Sequence, residues 1–140
     1  MPQTQLTIRT RGQGLYEFTD EVAAFVGRHG AEEGLLTVFV RHTSCSLLIQ
    51  ENADPDVQRD LKSFFSRLVP PSDAPSMGWV THTMEGPDDM PAHIKAALTP
   101  VSLTVPVKGG RLLLGTWQGI YLFEHRDRPH SRNIVLHLSR

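Results

Sequence analysis

The chain has 140 residues, with 14 Lys and Arg against 15 Asp and Glu and a formal net charge of -1 when histidine is neutral. That length and a 39% hydrophobic composition predict one packed domain over residues 1–140 and exclude a mainly disordered chain. The near-balance of charge gives no global drive toward nucleic acid or an anionic membrane, and the single cysteine, Cys45, excludes a disulfide framework or a multi-thiolate zinc site within the chain.

Met1 to Gln5 lacks the basic segment and apolar stretch of a secretory signal, and no run approaches the ~20 apolar residues of a membrane span, so a cytoplasmic protein is expected. Gln5 to Thr10 alternates apolar and polar and predicts a strand. Thr19 or Asp20 can cap a short helix carrying Val22, Phe25 and Val26, ended by Gly30. Leu35 to Arg41 is rich in β-formers, and a second strand from Cys45 to Gln50 is placed to pair with it. Asp54-Pro55 opens the clearest helix, whose apolar stripe of Val57, Leu61, Phe64, Phe65 and Leu68 is assigned to the core. Ser72 to Gly78 reads as a surface loop, and a third helix runs from about Asp89 to Leu98.

The last third is strand-rich: Ser102 to Val107, a Lys108-Gly109-Gly110 turn into Leu112, Trp117 to Arg126, and Asn133 to Leu138. Short links between strands imply antiparallel neighbours. The expected class is α+β, an antiparallel sheet or sandwich with two or three packed helices.

Polar residues concentrate in three segments. His42-Thr43-Ser44 leads on to Glu51-Asn52-Ala53-Asp54-Pro55, His82 to His93 encloses Glu85, Asp88 and Asp89, and Gly115-Thr116-Trp117-Gln118-Gly119 leads on to Glu124-His125-Arg126. Imidazole ligates zinc and similar metals, and His82, His93 and His125 are three candidates, with hydrogen-bonded or surface histidines as the plain alternative. Glu85, Asp88 and Asp89 can hold a magnesium-phosphate complex or act as acid and base, although helix capping accounts for at least one of the two aspartates. Gly115 and Gly119 can offer amides to phosphate or simply pack closely beside Trp117. Arg41, Lys95, Arg126 and Arg128 are candidate anion partners. Cys45, in a β-rich run, reads as a small buried hydrophobe rather than a nucleophile.

Together the three segments, in order and over nearly the whole chain, resemble the YjbQ-like family, also named secondary thiamine-phosphate synthase enzymes. The resemblance implies a compact α+β fold, a homotrimer, and a metal-associated histidine site near subunit interfaces. It implies transfer of a hydroxymethylpyrimidine from its diphosphate to a thiazole phosphate, with pyrophosphate released. On matching positions it implies His82, His93 and His125 as ligands of a divalent metal, zinc or a magnesium that accompanies pyrophosphate, with His42 as a fourth candidate. Glu85, Asp88 and Arg126 would be catalytic, and His42, Thr43, Ser44, Glu51, Asn52, Lys95, Gly115, Thr116, Gln118 and Gly119 would meet small phosphorylated substrates. Met84 and Pro129-His130 depart from the family pattern at the rim of that site. A metal-dependent hydrolase and a non-catalytic trimer with a structural metal are the rival readings.

Overall fold

A computed structural model describes residues 1–140. Two antiparallel sheets face one another. The larger runs in the order β1 (Gln3–Arg9), β8 (Ser131–Ser139), β3 (Glu33–Val40), β5 (Ser102–Lys108) and β6 (Arg111–Leu112). The smaller runs β2 (Gly14–Glu17), β7 (Gln118–Glu124), β4 (Cys45–Glu51). Helices α1 (Thr19–His29), α2 (Pro55–Leu68) and α3 (Asp89–Leu98) complete the α+β fold. None of them is long and apolar enough to cross a membrane.

Alternation along each strand decides which side chains turn inward. Leu36, Val38 and Val40 of β3 and Ile134, Leu136 and Leu138 of β8 join Leu47 of β4, Ile120 and Leu122 of β7, and Val22, Phe25 and Val26 of α1 in one core. The opposite face of β7 carries Tyr121 and Phe123, and α2 lies over it. Phe65 packs edge-on against Phe123 with ring centres 5.3 Å apart, and Gln58 donates to the Tyr121 hydroxyl at 2.9 Å.

Four local expectations are corrected. Phe18 holds the N-cap position of α1, because Thr19 Oγ1 is spent accepting the Ile120 N–H and donating to Glu17. The short β2 falls where Gly12 and Gly14 suggest only an interruption. β4 pairs with β7 instead of β3, so residues 41–44 cross between the sheets. Asp54 does cap α2 through the Asp56 N–H at 2.9 Å, yet the α2 stripe is no core: Val57, Leu61 and Phe65 are half-buried, while Phe64 and Leu68 are 56% and 53% exposed. α2 sits outside the smaller sheet, so only one side of its stripe finds a partner.

The crossover is pinned from β8. Asn133 receives the Arg41 N–H on its carbonyl and gives its own N–H to His42 Nε2, and Arg132 donates to the carbonyl and hydroxyl of Ser44. Arg132 points between the sheets and pairs with Glu124 at the end of β7, Nε to Oε1 at 2.8 Å. Both residues are buried. Burial opposes the Glu124 charge, but hydrogen bonds from Arg132 and Thr10 outweigh it and hold the carboxyl below its ordinary range. Arg132→Met leaves that carboxylate uncompensated and should lower the unfolding free energy in urea by about 3–5 kcal/mol, with much of the loss recovered by adding Glu124→Leu. An unchanged urea midpoint for the single variant would refute this account of the pair.

Candidate metal centre

The second polar segment folds as a loop that runs into α3. Gly86 adopts φ 101°, a conformation costly for any residue with a Cβ, and turns the chain between Glu85 and Asp88. Asp88 and Asp89 then depart from the capping expectation: the N-cap position, Asp88, makes no side-chain bond to the helix amides. Its Oδ2 instead accepts from Arg126 Nε and from the Asp127 N–H, each at 2.9 Å. Asp89 Oδ1 accepts from Arg126 Nη1 at 2.7 Å, and Arg126 Nη2 reaches the Glu85 carbonyl at 3.0 Å. Arg126 thus spends its guanidinium on the protein, and its charge is the reason two aspartates can sit side by side.

The other oxygen of the buried Asp89 collects two imidazoles. His82 Nε2 lies 2.9 Å from Oδ2 and His93 Nε2, one helical turn along α3, lies 3.1 Å from the same atom. Glu85 Oε2 is 3.7 Å from His82 Nε2, and the four ligand atoms fall within 4.8 Å of one another. Burial would raise the Asp89 pKa, but hydrogen bonding with His82 and Glu85 and the charges of His93 and Arg126 prevail and hold it below the usual range. Asp88 is held low in the same way, burial being outweighed by Arg126 and the Asp127 amide.

The proton inventory of His93 decides what this cluster can do. Its Nδ1 lies 2.8 Å from the Thr43 carbonyl oxygen, which can only accept, so Nδ1 carries a proton. In a neutral ring Nε2 is then a bare lone pair aimed at a carboxylate oxygen. Two acceptors at 3.1 Å repel unless a proton or a cation stands between them. A backbone carbonyl that fixes the Nδ1–H tautomer and frees Nε2 is the usual outer support of a metal-ligating histidine. Tetrahedral zinc needs ligand atoms roughly 3.3 Å apart at bond lengths near 2.1 Å, and the separations of 2.9, 3.1 and 3.7 Å found here bracket that value.

His125 lies apart from this cluster and Asp89 stands where a third imidazole was expected. His125 is buried beyond the end of β7, its Nε2 bonded to Ser46 Oγ at 2.9 Å and its Nδ1 without a partner. Burial, with Lys95 and Arg132 nearby, pushes its pKa down to about 3, so it is a neutral ring inside the protein. Ser46 is also buried, in contact with Thr99 at 2.6 Å.

Other expected site residues divide into three places. His42 and Thr43 adjoin His93, at a cleft of about 490 Å³. Ser44 is enclosed by Arg132. Lys95 projects from the far side of α3 toward Gln13, to which it donates at 3.1 Å, and makes no hydrogen bond to His82 or His93. Burial lowers its pKa against the pull of Asp127 and Asp88. Glu51, Asn52, Gln118 and Gly119 gather at the other end of the β4–β7 ladder, about 20 Å away at ~3.4 Å per residue. There Gln118 Oε1 takes the Gly115 N–H, Thr116 is exposed, and Asn52 donates to Glu17. A Cβ on Gly119 would come within 2.5 Å of the Glu17 carboxylate, so close packing accounts for this glycine, and the acid beside it opposes a phosphate. Cys45 is fully buried and burial pushes its thiol up to about 12, so it is no nucleophile.

The sequence offers Arg128 as a candidate anion partner. It is exposed, and with Glu85 it lines a second cleft of about 400 Å³ on the solvent side of the cluster. Asp89 is the residue that sequence reasoning most underrated, since its place before Pro91 reads as a helix start. The spacing His82, Glu85, Asp89, His93 was its one available signal.

Residues 4–140 match the family model described as UPF0047 protein YjbQ-like. The sequence is similar to a UPF0047 protein of Synechocystis, 53% identical over 137 residues that cover 98% of this chain and 90% of that one. It is also similar to UPF0047 protein YjbQ of Salmonella typhimurium, 42% identical over 134 residues covering 95% and 94%. Among solved structures, a hypothetical protein of Aeropyrum pernix matches with a TM-score of 0.86 at 29% identity, covering 99% of this chain and 98% of that one. A yjbq/upf0047-family protein of Clostridium acetobutylicum matches with a TM-score of 0.85 at 32% identity, covering 96% and 98%.

The depressed pKa of His125 has a measurable sign. Above the unfolded value near 6.5 both states are neutral there; as pH falls from 6.5 toward 3 only the unfolded chain takes the proton, and stability is lost. Between those limits the unfolding free energy should fall by about 1.4 kcal/mol per pH unit more steeply than in His125→Gln. Parallel curves from urea titrations at pH 7, 6 and 5 would contradict it.

Proposed function

The chain belongs to the UPF0047 YjbQ-like family, and from that premise and the geometry around Asp89 we propose a divalent-metal enzyme acting on small phosphorylated substrates, with thiamine-phosphate synthase activity. The observation that carries the reading is His93, whose Nδ1 is committed to a carbonyl while its Nε2 and that of His82 converge on Asp89 Oδ2. His82, His93 and Asp89 hold the metal, with Glu85 as a fourth ligand or as the acid–base group. The donor set of imidazole and carboxylate suits zinc or a similar transition ion better than magnesium, which enters with pyrophosphate.

In the transfer, the thiazole nitrogen forms a bond to the pyrimidine methylene carbon as the bond from that carbon to the diphosphate oxygen breaks, and pyrophosphate leaves with the electron pair. The divalent ion, when bound, supplies positive charge to that departing group. Arg128, exposed at the cleft beside Glu85, is the free guanidinium for the phosphates. Arg126 and Asp88 act as positioning residues, because each is committed to the other and to the loop around Glu85. The side chains of His82 and Glu85 are 50% and 64% exposed, which supports an open coordination position and speaks against a purely structural metal. Three copies assemble, and the exposed Phe64 and Leu68 on α2 offer an apolar face for that contact.

Zinc added to chelator-treated protein should raise the melting temperature of wild type and not of His93→Ala. Given both phosphorylated precursors, wild type should form thiamine phosphate above the His93→Ala background. Pyrophosphate release without the thiazole would instead identify the hydrolase, and equal background product with no metal response would remove the enzyme reading. Light scattering should give the mass of three chains for wild type and of one for Phe64→Glu; a monomeric wild type at micromolar concentration would contradict the assembly.

A further inference from the structure

A further cleft, of about 270 Å³, lies on the Lys95 side of α3, between that helix and the end of α2. Lys95 lines it and is only 4% exposed, so its ammonium is held inside the protein. Its one hydrogen bond goes to a neutral group, Gln13 Oε1 at 3.1 Å. No carboxylate forms a salt bridge with it, although the charges of Asp127 and Asp88 act on it from farther off. An ammonium carries three N–H donors. Two are therefore left without a protein acceptor, and a buried polar group in that state calls for a partner from outside the chain.

The groups beside that ammonium form an ordered row. Gln13 turns its carbonyl to Lys95 and its amide to Asp127, Nε2 to Oδ1 at 2.7 Å, so the two charged neighbours fix which end of Gln13 is which. The second Gln13 N–H and the second Asp127 oxygen, Oδ2, bind nothing in the protein. Free donors on Lys95 and Gln13 thus stand next to a free acceptor on Asp127, and all three residues line the cleft. They come from α3, from the link between β1 and β2, and from the chain leaving β7, so the row is a product of the fold. Val69, Pro87 and Pro91 add an apolar patch to the same lining.

We propose that this cleft binds an uncharged ring of vicinal hydroxyls, a single sugar or cyclitol, its hydroxyl edge along Lys95, Gln13 and Asp127 and its C–H face on Val69 and the two prolines. Each hydroxyl gives one proton and accepts on two lone pairs, so neighbouring hydroxyls match a row that offers donors and an acceptor side by side. An anion is opposed by Asp73, Asp88 and Asp127, all of which line the cleft. A cation is opposed by the ammonium, which is too deeply buried to swing away. A plain hydrocarbon ring covers the apolar patch and leaves the buried donors unmet, which is how a site built to hydrogen-bond rejects an isostere. The volume of about 270 Å³ falls just below the ~300–1,000 Å³ of drug-sized sites and suits one ring. This site goes beyond the metal-enzyme reading and stands or falls without it.

The test uses full-length protein with chelator present, so that no metal takes part. The probes are myo-inositol and methyl α-D-glucopyranoside, neither of which can condense with an amine. Calorimetry and backbone-amide NMR should show saturable binding with shifts at Gln13, Lys95 and Asp127, and the tighter of the two rings tells cyclitol from sugar. Lys95→Met, close in length and uncharged, should weaken binding about tenfold. Ser66→Trp, which fills the cleft from an exposed position on α2, should abolish binding with the melting temperature unchanged. Cyclohexanol, the carbon ring of inositol with one hydroxyl, should bind wild type about tenfold more weakly and be indifferent to Lys95→Met. No saturable binding of either probe, equal affinity for cyclohexanol, full affinity in Ser66→Trp, or tighter binding of inorganic phosphate would each overturn the proposal. If zinc fails to bind while either ring does, the metal reading falls and this one stands.

Discussion

The Glu124 carboxylate is the constraint on which both the sandwich and the candidate centre rest. Its two oxygens accept from Thr10, from Arg132, and from the backbone N–H groups of His125 and Arg126. A charge with no water around it survives only when donors saturate it, and here the donors come from β8, from the segment after β1 and from the chain leaving β7. The same bonds that join the sheets therefore fix the direction in which residue 126 departs. Arg126 is delivered onto Asp88 and Asp89, and Asp89 in turn onto two imidazoles. Core cohesion and the geometry of the centre are thus one continuous hydrogen-bonded structure.

That continuity explains which features were readable in advance. Strand alternation, the Asp54-Pro55 helix start and the Gly109-Gly110 turn are local patterns, and each produced its element within a residue or two. The partner of β4 was not local. A four-residue link suits a hairpin, and only Arg132 and Asn133, some ninety residues away, make it a crossover. Asp88 and Asp89 fail as caps for the same reason: Arg126 outbids the helix amides for their oxygens, and nothing near them in the sequence announces it.

The histidines give a finer lesson. His82 and His93 were nominated as residue types and the fold brings them to one oxygen atom, whereas His125 shares their type and not their environment. Direction along a strand separates them, since residue 125 continues the face that carries Phe123. Lys95 is two positions from His93 and lies on the far side of the same helix, where a period of 3.6 residues sends it. The glycine-rich segment before β7 belongs to the opposite end of its strand, in company with Glu17 and Asn52.

Cys45 stands opposite Glu124 in the β4–β7 ladder, with no exposed surface of its own. Disulfide reagents cannot reach it, nor can ambient oxidants, until that ladder parts. The protein therefore carries a native reporter site: the labelling rate of its one thiol counts breathing events at the place where the ionic lock between the sheets is anchored.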